Sequence, residues 1–292
     1  KLMKVLILGK GYVGQNIAKV MSTCYDVTIL SRADLDYTDR STLFNHMSKA
    51  QYAYVINTCG YTGRPNVDAC EANREDTWYY NVIVPVNIQK VCKDVGTKMI
   101  HISSGCIYDG YDKKYTEEDE PDFGLLSTVS SWYSKTKHAC EMMLRDTPVY
   151  ILRIRMPFCE TPSERNIIMK LRKYDKIINK VNSLTNIEDL CGFCLLMMAD
   201  INENISNLTP GIYNVVNPQE VSTQEITKIM EQYGIGNPNW KTIEYEELKK
   251  MTVTGRSNCV LDDSKALSYN LRLPNTFDSL HRCIRNISDQ LR

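Results

Sequence analysis

Tyr133 and Lys137 stand four residues apart in Tyr133-Ser134-Lys135-Thr136-Lys137. On a helix that spacing puts both side chains on one face. An ammonium beside a phenol lowers its pKa, so the pair could move a proton to or from a carbonyl near neutrality. The spacing alone is common, and its meaning depends on what else the chain carries. Gly9, Gly11 and Gly14 fit G-x-G-x-x-G. In that pattern the first glycine makes a tight turn, the second lets backbone approach a pyrophosphate, and the third packs helix closely on strand. The helix N-terminus then meets the phosphates. The motif follows the apolar run Lys4-Val5-Leu6-Ile7-Leu8 and opens a helical stretch, the context a dinucleotide site requires. Tyr12 and Val13 within the turn, and Thr58, Cys59 and Gly60 after a later strand, complete the expected cofactor-binding set with Tyr133 and Lys137. Lys137 can also hold the cofactor ribose. The second strand ends at Leu30-Ser31-Arg32. A carboxylate there would grip the ribose 2′-hydroxyl of NAD, whereas Arg32 suits a 2′-phosphate, which favours NADPH over NADH. The competing reading leaves Arg32 in solvent and puts Asp34 or Asp36 on the adenosine.

These residues need a scaffold. Short apolar runs predict strands over 4–8, 26–30, 54–58, 99–103 and 149–153, with helices over 13–22, 40–49, 77–95 and 132–145 between them. Strand alternating with helix implies βαβ units and a parallel sheet. Beyond residue 157 the pattern changes: a helix over 188–200, a strand over 211–216, a helix to Tyr233 opened by the capping box Ser222-Thr223-Gln224-Glu225, and a last helix over 277–290. At 292 residues the chain is too long for one small domain. The expectation is an α/β fold, a Rossmann-type doubly wound parallel sheet with a smaller C-terminal substrate lobe. Residues 1–157 form the NADP-binding core, 186–216 return to it, and 158–185 with 217–292 form the lobe. Glu117-Glu118-Asp119-Glu120 reads as a solvated loop.

Thirty-five Lys and Arg balance thirty-five Asp and Glu. Zero net charge argues against a nucleic-acid binder and against a polybasic membrane-surface role. Eleven cysteines, odd in number and scattered, form no disulfide framework and point to a reducing, cytoplasmic compartment. Cys191 and Cys194 have C-x-x-C spacing, but they lie in the apolar run 190–199 and lack a second ligand pair. That run is also too short to span a bilayer. No signal-peptide pattern opens the chain. His46, His101, His138 and His281 show no ligand spacing, so no metal is expected.

The glycine turn, the Tyr133–Lys137 pair and Ser103-Ser104 about thirty residues before it together resemble the extended short-chain dehydrogenase/reductase family. Ser104 then matches the family's hydroxyl that binds the substrate carbonyl or hydroxyl. Further stretches narrow the likeness: Thr62-Gly63-Arg64-Pro65-Asn66-Val67-Asp68, Gly105-Cys106-Ile107-Tyr108, Arg153-Ile154-Arg155-Met156-Pro157, Arg165-Asn166 with Lys170, and Gly255-Arg256-Ser257-Asn258. From Leu6 to about Leu280 the chain resembles the plant-type bifunctional nucleotide-rhamnose synthases, which are 3,5-epimerases and 4-keto reductases of UDP-4-keto-6-deoxyglucose. The resemblance implies two chemistries in one pocket. The ketone at sugar carbon 4 acidifies the protons on carbons 3 and 5, an acid/base pair inverts both centres, and NADPH reduces carbon 4 to give UDP-L-rhamnose. Cys106 and Lys170 map to that pair, and which of them removes the proton stays open. Cys106 is chemically credible, since nearby cations lower a thiol's pKa. Lys173, Tyr174 and Lys176 lie close to Lys170 in sequence and compete with it. Asn166 and Arg256 are implied to contact the sugar or its diphosphate. Ser104 stands where the plant-type proteins often carry Thr, and Gly9-Lys10-Gly11 departs from their usual first turn; neither threatens the chemistry. A UDP-linked 4-keto-6-deoxy sugar from a separate upstream 4,6-dehydratase, and a homodimer, are the implied partners.

Three alternatives stand beside this reading. A dTDP-4-keto-rhamnose reductase would need neither Cys106 nor Lys170. A GDP-L-fucose synthase-like enzyme would use a histidine in place of Lys170, and no histidine occurs between His138 and His281. A non-catalytic, redox-sensing NADP-binding protein would usually lack the Tyr or the Lys, and both are present.

Overall fold

The computed structural model describes residues 2–292. The chain runs β1 (Lys4–Leu8), α1 (Tyr12–Met21), β2 (Asp26–Leu30), α2 (Arg40–Ala50), β3 (Tyr54–Asn57), the short α3 (Asp68–Ala72), then one rod made of α4 (Arg74–Trp78), a π-turn (Tyr79–Ile83) and α5 (Val84–Val95). After it come β4 (Lys98–Ser104), β5 (Gly110–Tyr115), α6 (Trp132–Leu144) and β6 (Val149–Ile154). The second half runs α7 (Ile167–Lys173), β7 (Lys176–Ile178), β8 (Val181–Asn182), α8 (Ile187–Glu203), β9 (Gly211–Asn214), β10 (Val221–Ser222) and α9 (Thr223–Gln232). It closes with β11 (Lys241–Ile243), α10 (Tyr245–Met251), β12 (Cys259–Leu261), α11 (Ser264–Ser268) and α12 (Thr276–Leu291).

Six strands form one parallel sheet in the order β2-β1-β3-β4-β6-β9. The central strands are apolar and buried on both faces, as a sheet covered by helices on each side requires. One face packs Val5, Ile7, Tyr54 and Ile100 against α1 and α8; the other packs Leu6, Leu8, Val55 and Met99 against α2, α5 and α6. The strand order reverses between β1 and β3. In open α/β sheets the crevice outside the carboxyl ends at such a reversal is where ligands bind. The glycine turn and Thr58-Cys59-Gly60 both sit at that edge. A third apolar cluster joins α7, α9 and α12 through Ile168, Ile226, Met230, Leu280 and Ile284. Of three two-stranded ribbons, β10-β8 and β11-β7 lie within the second half, and β12-β5 ties it to the segment after β4.

Several boundaries differ from the sequence reading. The helix expected from residue 77 begins at Arg74 and carries a π-turn over Tyr79–Ile83. Pro85 follows immediately; it lacks an N–H, and the widened turn accommodates the missing i→i−4 bond. The strand from Gly211 stops at Asn214, which pairs with Arg153 of β6. The acidic run is not simply solvated. Glu117 accepts the Asn214 backbone N–H at 2.7 Å, and Asp119 pairs with Lys113 at 2.5 Å. Cys191 and Cys194 are buried in α8. Among the described residues no cluster of His, Cys, Asp or Glu is placed to hold a metal ion, and no helix is long and apolar enough to cross a membrane.

Candidate active site

The turn after β1 is built as its glycines demand. Gly9 has φ +106°, a conformation L side chains rarely adopt. A Cβ on Gly14 would run into the Gly9 carbonyl, so α1 can pack this closely only without one. A Cβ on Gly11 would meet nothing within 4 Å. Gly11 is also the N-cap of α1 and offers no side-chain cap, so the first N–H groups face open space. The Thr58 hydroxyl donates to the carbonyls of Leu8 and Gly9 at 2.9 and 3.1 Å, holding the ends of β1 and β3 together. The Cys59 thiol donates to Asn57 Oδ1 at 2.7 Å and is pushed up to about 11, chiefly by burial, so it packs as a neutral group.

At the end of β2, the exposed Arg32 guanidinium lies 4.1 Å from the Tyr80 ring centroid and makes no ion pair among the described residues. Asp34 is taken: Lys10 contacts it at 2.5 Å, and the Ser31 N–H donates to it at 2.9 Å. Asp36 accepts from the Thr38 hydroxyl at 2.5 Å. Both carboxylates that competed with Arg32 for the adenosine therefore have local partners. An open phosphate cradle at a helix N-terminus and an unpaired guanidinium at the end of β2 fit a phosphorylated dinucleotide.

Ser131 caps α6, its Oγ accepting the Ser134 N–H at 3.0 Å, and the helix carries Tyr133 and Lys137 along one face. Lys137 is buried, has no hydrogen-bond partner among the described residues, and sits with Nζ 5.6 Å from the Tyr133 ring centroid. Burial lowers the Lys137 pKa, with the nearby thiols and Glu141 working the other way. The expectation that Lys137 lowers the Tyr133 pKa is corrected. Burial dominates and raises it, Cys106 and Cys70 add to the rise, and Ser104 and Arg155 oppose it. A phenol held protonated is a proton donor, the form needed to quench an alkoxide. Ser104, at the end of β4, accepts the Cys106 N–H at 3.1 Å, which leaves its own proton free to donate.

A buried ion pair locks this helix to the strands. Arg153 on β6 donates to Glu141 on α6 from Nε at 3.0 and 3.1 Å and from Nη2 at 2.8 Å. Ser103, next to Ser104, donates to Glu141 at 2.8 Å, and Arg153 donates to the Tyr108 hydroxyl at 2.9 Å. Asn81, in the π-turn, accepts the Tyr61 N–H at 2.6 Å and donates to Thr136 of α6 at 3.0 Å, fixing the loop after β3. Neither Glu141 nor Asn81 stood out in sequence; the only signal was Pro85 inside a helical pattern.

Cys106 is half-buried just past β4. Lys170 on α7 lies in its electrostatic reach and makes no hydrogen bond among the described residues; burial lowers its pKa, Arg165 and Arg256 push the same way, and Cys106 opposes them. The competitors of Lys170 are placed elsewhere. Tyr174 is exposed, Lys173 is at the surface, and Lys176 pairs with Glu247 at 3.1 Å. Asn166 is 0% exposed and caps α7: Nδ2 donates to the carbonyls of Cys159 and Thr161 at 2.7 and 3.0 Å, and Oδ1 accepts the Ile168 N–H at 3.2 Å. Arg256 pairs with Asp68 at 2.9 Å, and Asp68 also accepts the Thr254 N–H, so the loop before β12 is strapped over the loop after β3.

The family described as RmlD substrate binding domain matches residues 3–288. The chain is 34% identical over 237 residues to a bifunctional dTDP-4-dehydrorhamnose 3,5-epimerase/dTDP-4-dehydrorhamnose reductase of Arabidopsis thaliana, covering 78% of this chain and 74% of that protein. It is 33% identical over 273 residues to an Arabidopsis trifunctional UDP-glucose 4,6-dehydratase/UDP-4-keto-6-deoxy-D-glucose 3,5-epimerase/UDP-4-keto-L-rhamnose-reductase, covering 90% of this chain but spanning only 39% of that relative's length. Among solved structures, the L780 UDP-rhamnose synthase of Acanthamoeba polyphaga mimivirus superposes with a TM-score of 0.83 at 24% identity, covering 98% of this chain and all of that one. The dTDP-4-dehydrorhamnose reductase of Bacillus anthracis, in complex with NADP, superposes with a TM-score of 0.78 at 20% identity, covering 97% of each chain. At those identities the structures establish the fold. With the sequence match, the parallel sheet and the Tyr-Lys helix in agreement, the chain belongs to the RmlD substrate-binding domain family, nucleotide-sugar reductases of the short-chain dehydrogenase/reductase type.

Proposed function

We propose that the protein epimerises carbons 3 and 5 of UDP-4-keto-6-deoxyglucose and reduces carbon 4, forming UDP-L-rhamnose. The two-step reading is supported by Lys170 lying within electrostatic reach of Cys106, which itself lies near Tyr133 and Ser104; a plain reductase needs only the latter two with Lys137. Ser104 donates to the C4 carbonyl and polarises it, which acidifies the neighbouring C–H bonds. Of Cys106 and Lys170, one removes a proton and the other returns one from the opposite face, inverting each centre through an enolate. The Ser104 and Tyr133 hydroxyls hydrogen-bond the enolate oxygen while it carries charge. When bound, NADPH supplies the hydride to C4. Tyr133 then gives its proton to the C4 oxygen, and the Lys137 ammonium favours the phenolate left behind. Lys137, the N-terminus of α1 and Arg32 would hold the cofactor's ribose, pyrophosphate and 2′-phosphate, the last setting NADPH above NADH.

Incubation with NADPH and UDP-4-keto-6-deoxyglucose tests the reading: UDP-L-rhamnose forms, and an absence of cofactor oxidation overturns it. Cys106→Ala abolishes solvent deuterium uptake at carbons 3 and 5; persistence of uptake removes Cys106 from the epimerising pair. The dTDP-linked substrate, run in parallel, decides the nucleotide. A homodimer and a separate 4,6-dehydratase as supplier belong to the same proposal.

A further inference from the structure

α6 begins at Trp132, the residue before Tyr133. The first N–H groups of a helix have no partner within it, so its first turn frays unless something else holds it. Ser131 holds one of them, the Ser134 N–H. The Trp132 N–H is held from a different element: it donates to Glu71 Oε1 on α3 at 2.8 Å, a bond between residues 61 apart in the chain. A carboxylate also has the right charge for the positive end of a helix. Neither Glu71 oxygen bonds Tyr133, Ser104 or Lys137 among the described residues, so any influence on them runs through Trp132.

Trp132 is gripped at three points. Besides its backbone N–H, its indole Nε1 donates to the Arg74 carbonyl at 3.0 Å, and the Arg74 guanidinium lies 5.0 Å from its ring centroid. The second Glu71 oxygen accepts from Arg74 Nη2 at 3.1 Å. The Arg74 side chain is 61% exposed and that of Glu71 only 16%. An ion pair with so exposed a partner contributes little, so the bond from Trp132 to Glu71 is the stronger constraint. The five-residue α3 is too short to keep its shape alone, and it is anchored in turn. Asp68, at its start, accepts from Arg256 at 2.9 Å and from the Thr254 N–H at 3.2 Å. Cys70, between Asp68 and Glu71, is 0% exposed and lies within electrostatic reach of Tyr133 and Lys137. α3 is therefore fixed beside the Tyr-Lys face, not at the edge of the molecule.

We infer that Glu71 is a positioning residue for the C4 reduction: through the Trp132 N–H it fixes the first turn of α6 and with it the place of the Tyr133 phenol. This rests on Tyr133 as the proton donor and on nothing in the epimerisation. The donor must lie within hydrogen-bond reach of the C4 oxygen. A misplacement of ~1 Å can cost ~10²-fold in rate, so loss of the Glu71 acceptor lowers reduction by ~10–10²-fold. Gln keeps Oε1 as an acceptor for the Trp132 N–H and keeps most of the rate; Leu keeps no acceptor.

The experiment is a double-mutant cycle on the whole protein with NADPH and UDP-4-keto-L-rhamnose, or its dTDP counterpart, whichever the wild type reduces. This ketone is already inverted at carbons 3 and 5, so reduction is read without epimerisation. Glu71→Leu, Tyr133→Phe and the double variant are compared by kcat and KM. Tyr133→Phe should cost ~10–10²-fold less in the Glu71→Leu background than in the wild type, because a displaced phenol has less to lose, while the sugar-nucleotide KM stays within ~3-fold. Glu71→Gln should hold kcat within ~3-fold of the wild type. A smaller folded fraction would scale both backgrounds alike and leave the cycle additive. An additive cycle, or Glu71→Leu at the wild-type kcat, overturns the inference. Should Glu71→Leu fail to fold, Glu71→Asp runs the same cycle, keeping the charge but drawing the acceptor back by one methylene. If Tyr133→Phe reduces at the wild-type rate, the proton-donor reading falls and this inference with it. An inactive Tyr133→Phe beside a normal Glu71→Leu sinks the inference alone.

Discussion

Replacing Glu141 with Gln should destabilise the protein more than any exposed charge change. The Glu141 carboxylate accepts three guanidinium bonds from Arg153, at 2.8 to 3.1 Å, and one from Ser103 at 2.8 Å. Arg153 and Glu141 are both 2% exposed, so water cannot take over when the charge is lost. Gln keeps the shape but turns an NH2 toward the guanidinium and leaves a buried cation with neutral acceptors alone, its own carbonyl and the Tyr108 hydroxyl. Removing one partner of a buried pair costs about 3–5 kcal/mol. Against a total stability of ~5–15 kcal/mol that is a large fraction. In a chain of this size it lowers the melting temperature by roughly 6–15 °C. The double variant Glu141→Met/Arg153→Met removes both charges and should recover most of the loss, because apolar replacement of a whole buried pair is often neutral. Urea denaturation followed by circular dichroism measures all variants. A single-variant cost under ~1 kcal/mol, or a double variant no better than the sum of its singles, would refute the reasoning. Since Glu141 stands one turn past Lys137 and holds Ser103 beside Ser104, the folded fraction of Glu141→Gln should also turn over more slowly.

Tyr133→Phe should cut C4 reduction by ~10²–10⁴-fold while deuterium exchange at carbons 3 and 5 continues; equal loss of both would place Tyr133 in the epimerising step instead. Because burial raises the Tyr133 pKa, the phenol stays a protonated donor through neutral and mildly alkaline pH, and reduction should not fall there; a fall absent from Tyr133→Phe would contradict this. Gly14→Ala drives a Cβ into the Gly9 carbonyl and should cost about 1–3 kcal/mol, whereas Gly11→Ala meets no protein atom and should weaken only cofactor affinity, read by NADPH titration and melting curves side by side. Glu188 has a buried Oε2 without a partner among the described residues, and burial raises its pKa. Its stabilising protonated form is complete below the unfolded value near ~4.3 and is lost as pH rises through the raised folded value. Glu188→Gln does not titrate, so its stability relative to the wild type should grow from mildly acidic to neutral pH; parallel curves would rule this out.

Much of the fold was legible because it is written in local pattern. The runs 4–8, 26–30 and 54–58 announce strands by their apolar residues, the third ending one residue earlier at Asn57, and the glycine spacing announces the turn between the first strand and its helix. The α6 spacing placed Tyr133 and Lys137 together without further information. The ribbons β7, β8, β10, β11 and β12 were not visible, since strands of two or three residues carry too little periodicity to read.

The sequence by itself determined the sheet, the dinucleotide turn and the Tyr-Lys face, and through resemblance it put Cys106 and Lys170 forward as the proposed acid/base pair. Only the tertiary structure decided what surrounds them. It set the half-buried Tyr133 where desolvation raises its pKa, and it engaged Asn166 in capping α7. Arg155 meets Cys106 across 49 residues and Ser257 across 102, while Asp68 reaches Arg256 across 188. Helical spacing reports neighbours three or four residues apart, but the charge a buried side chain feels is set by distance in space. At these separations only the folded chain specifies it.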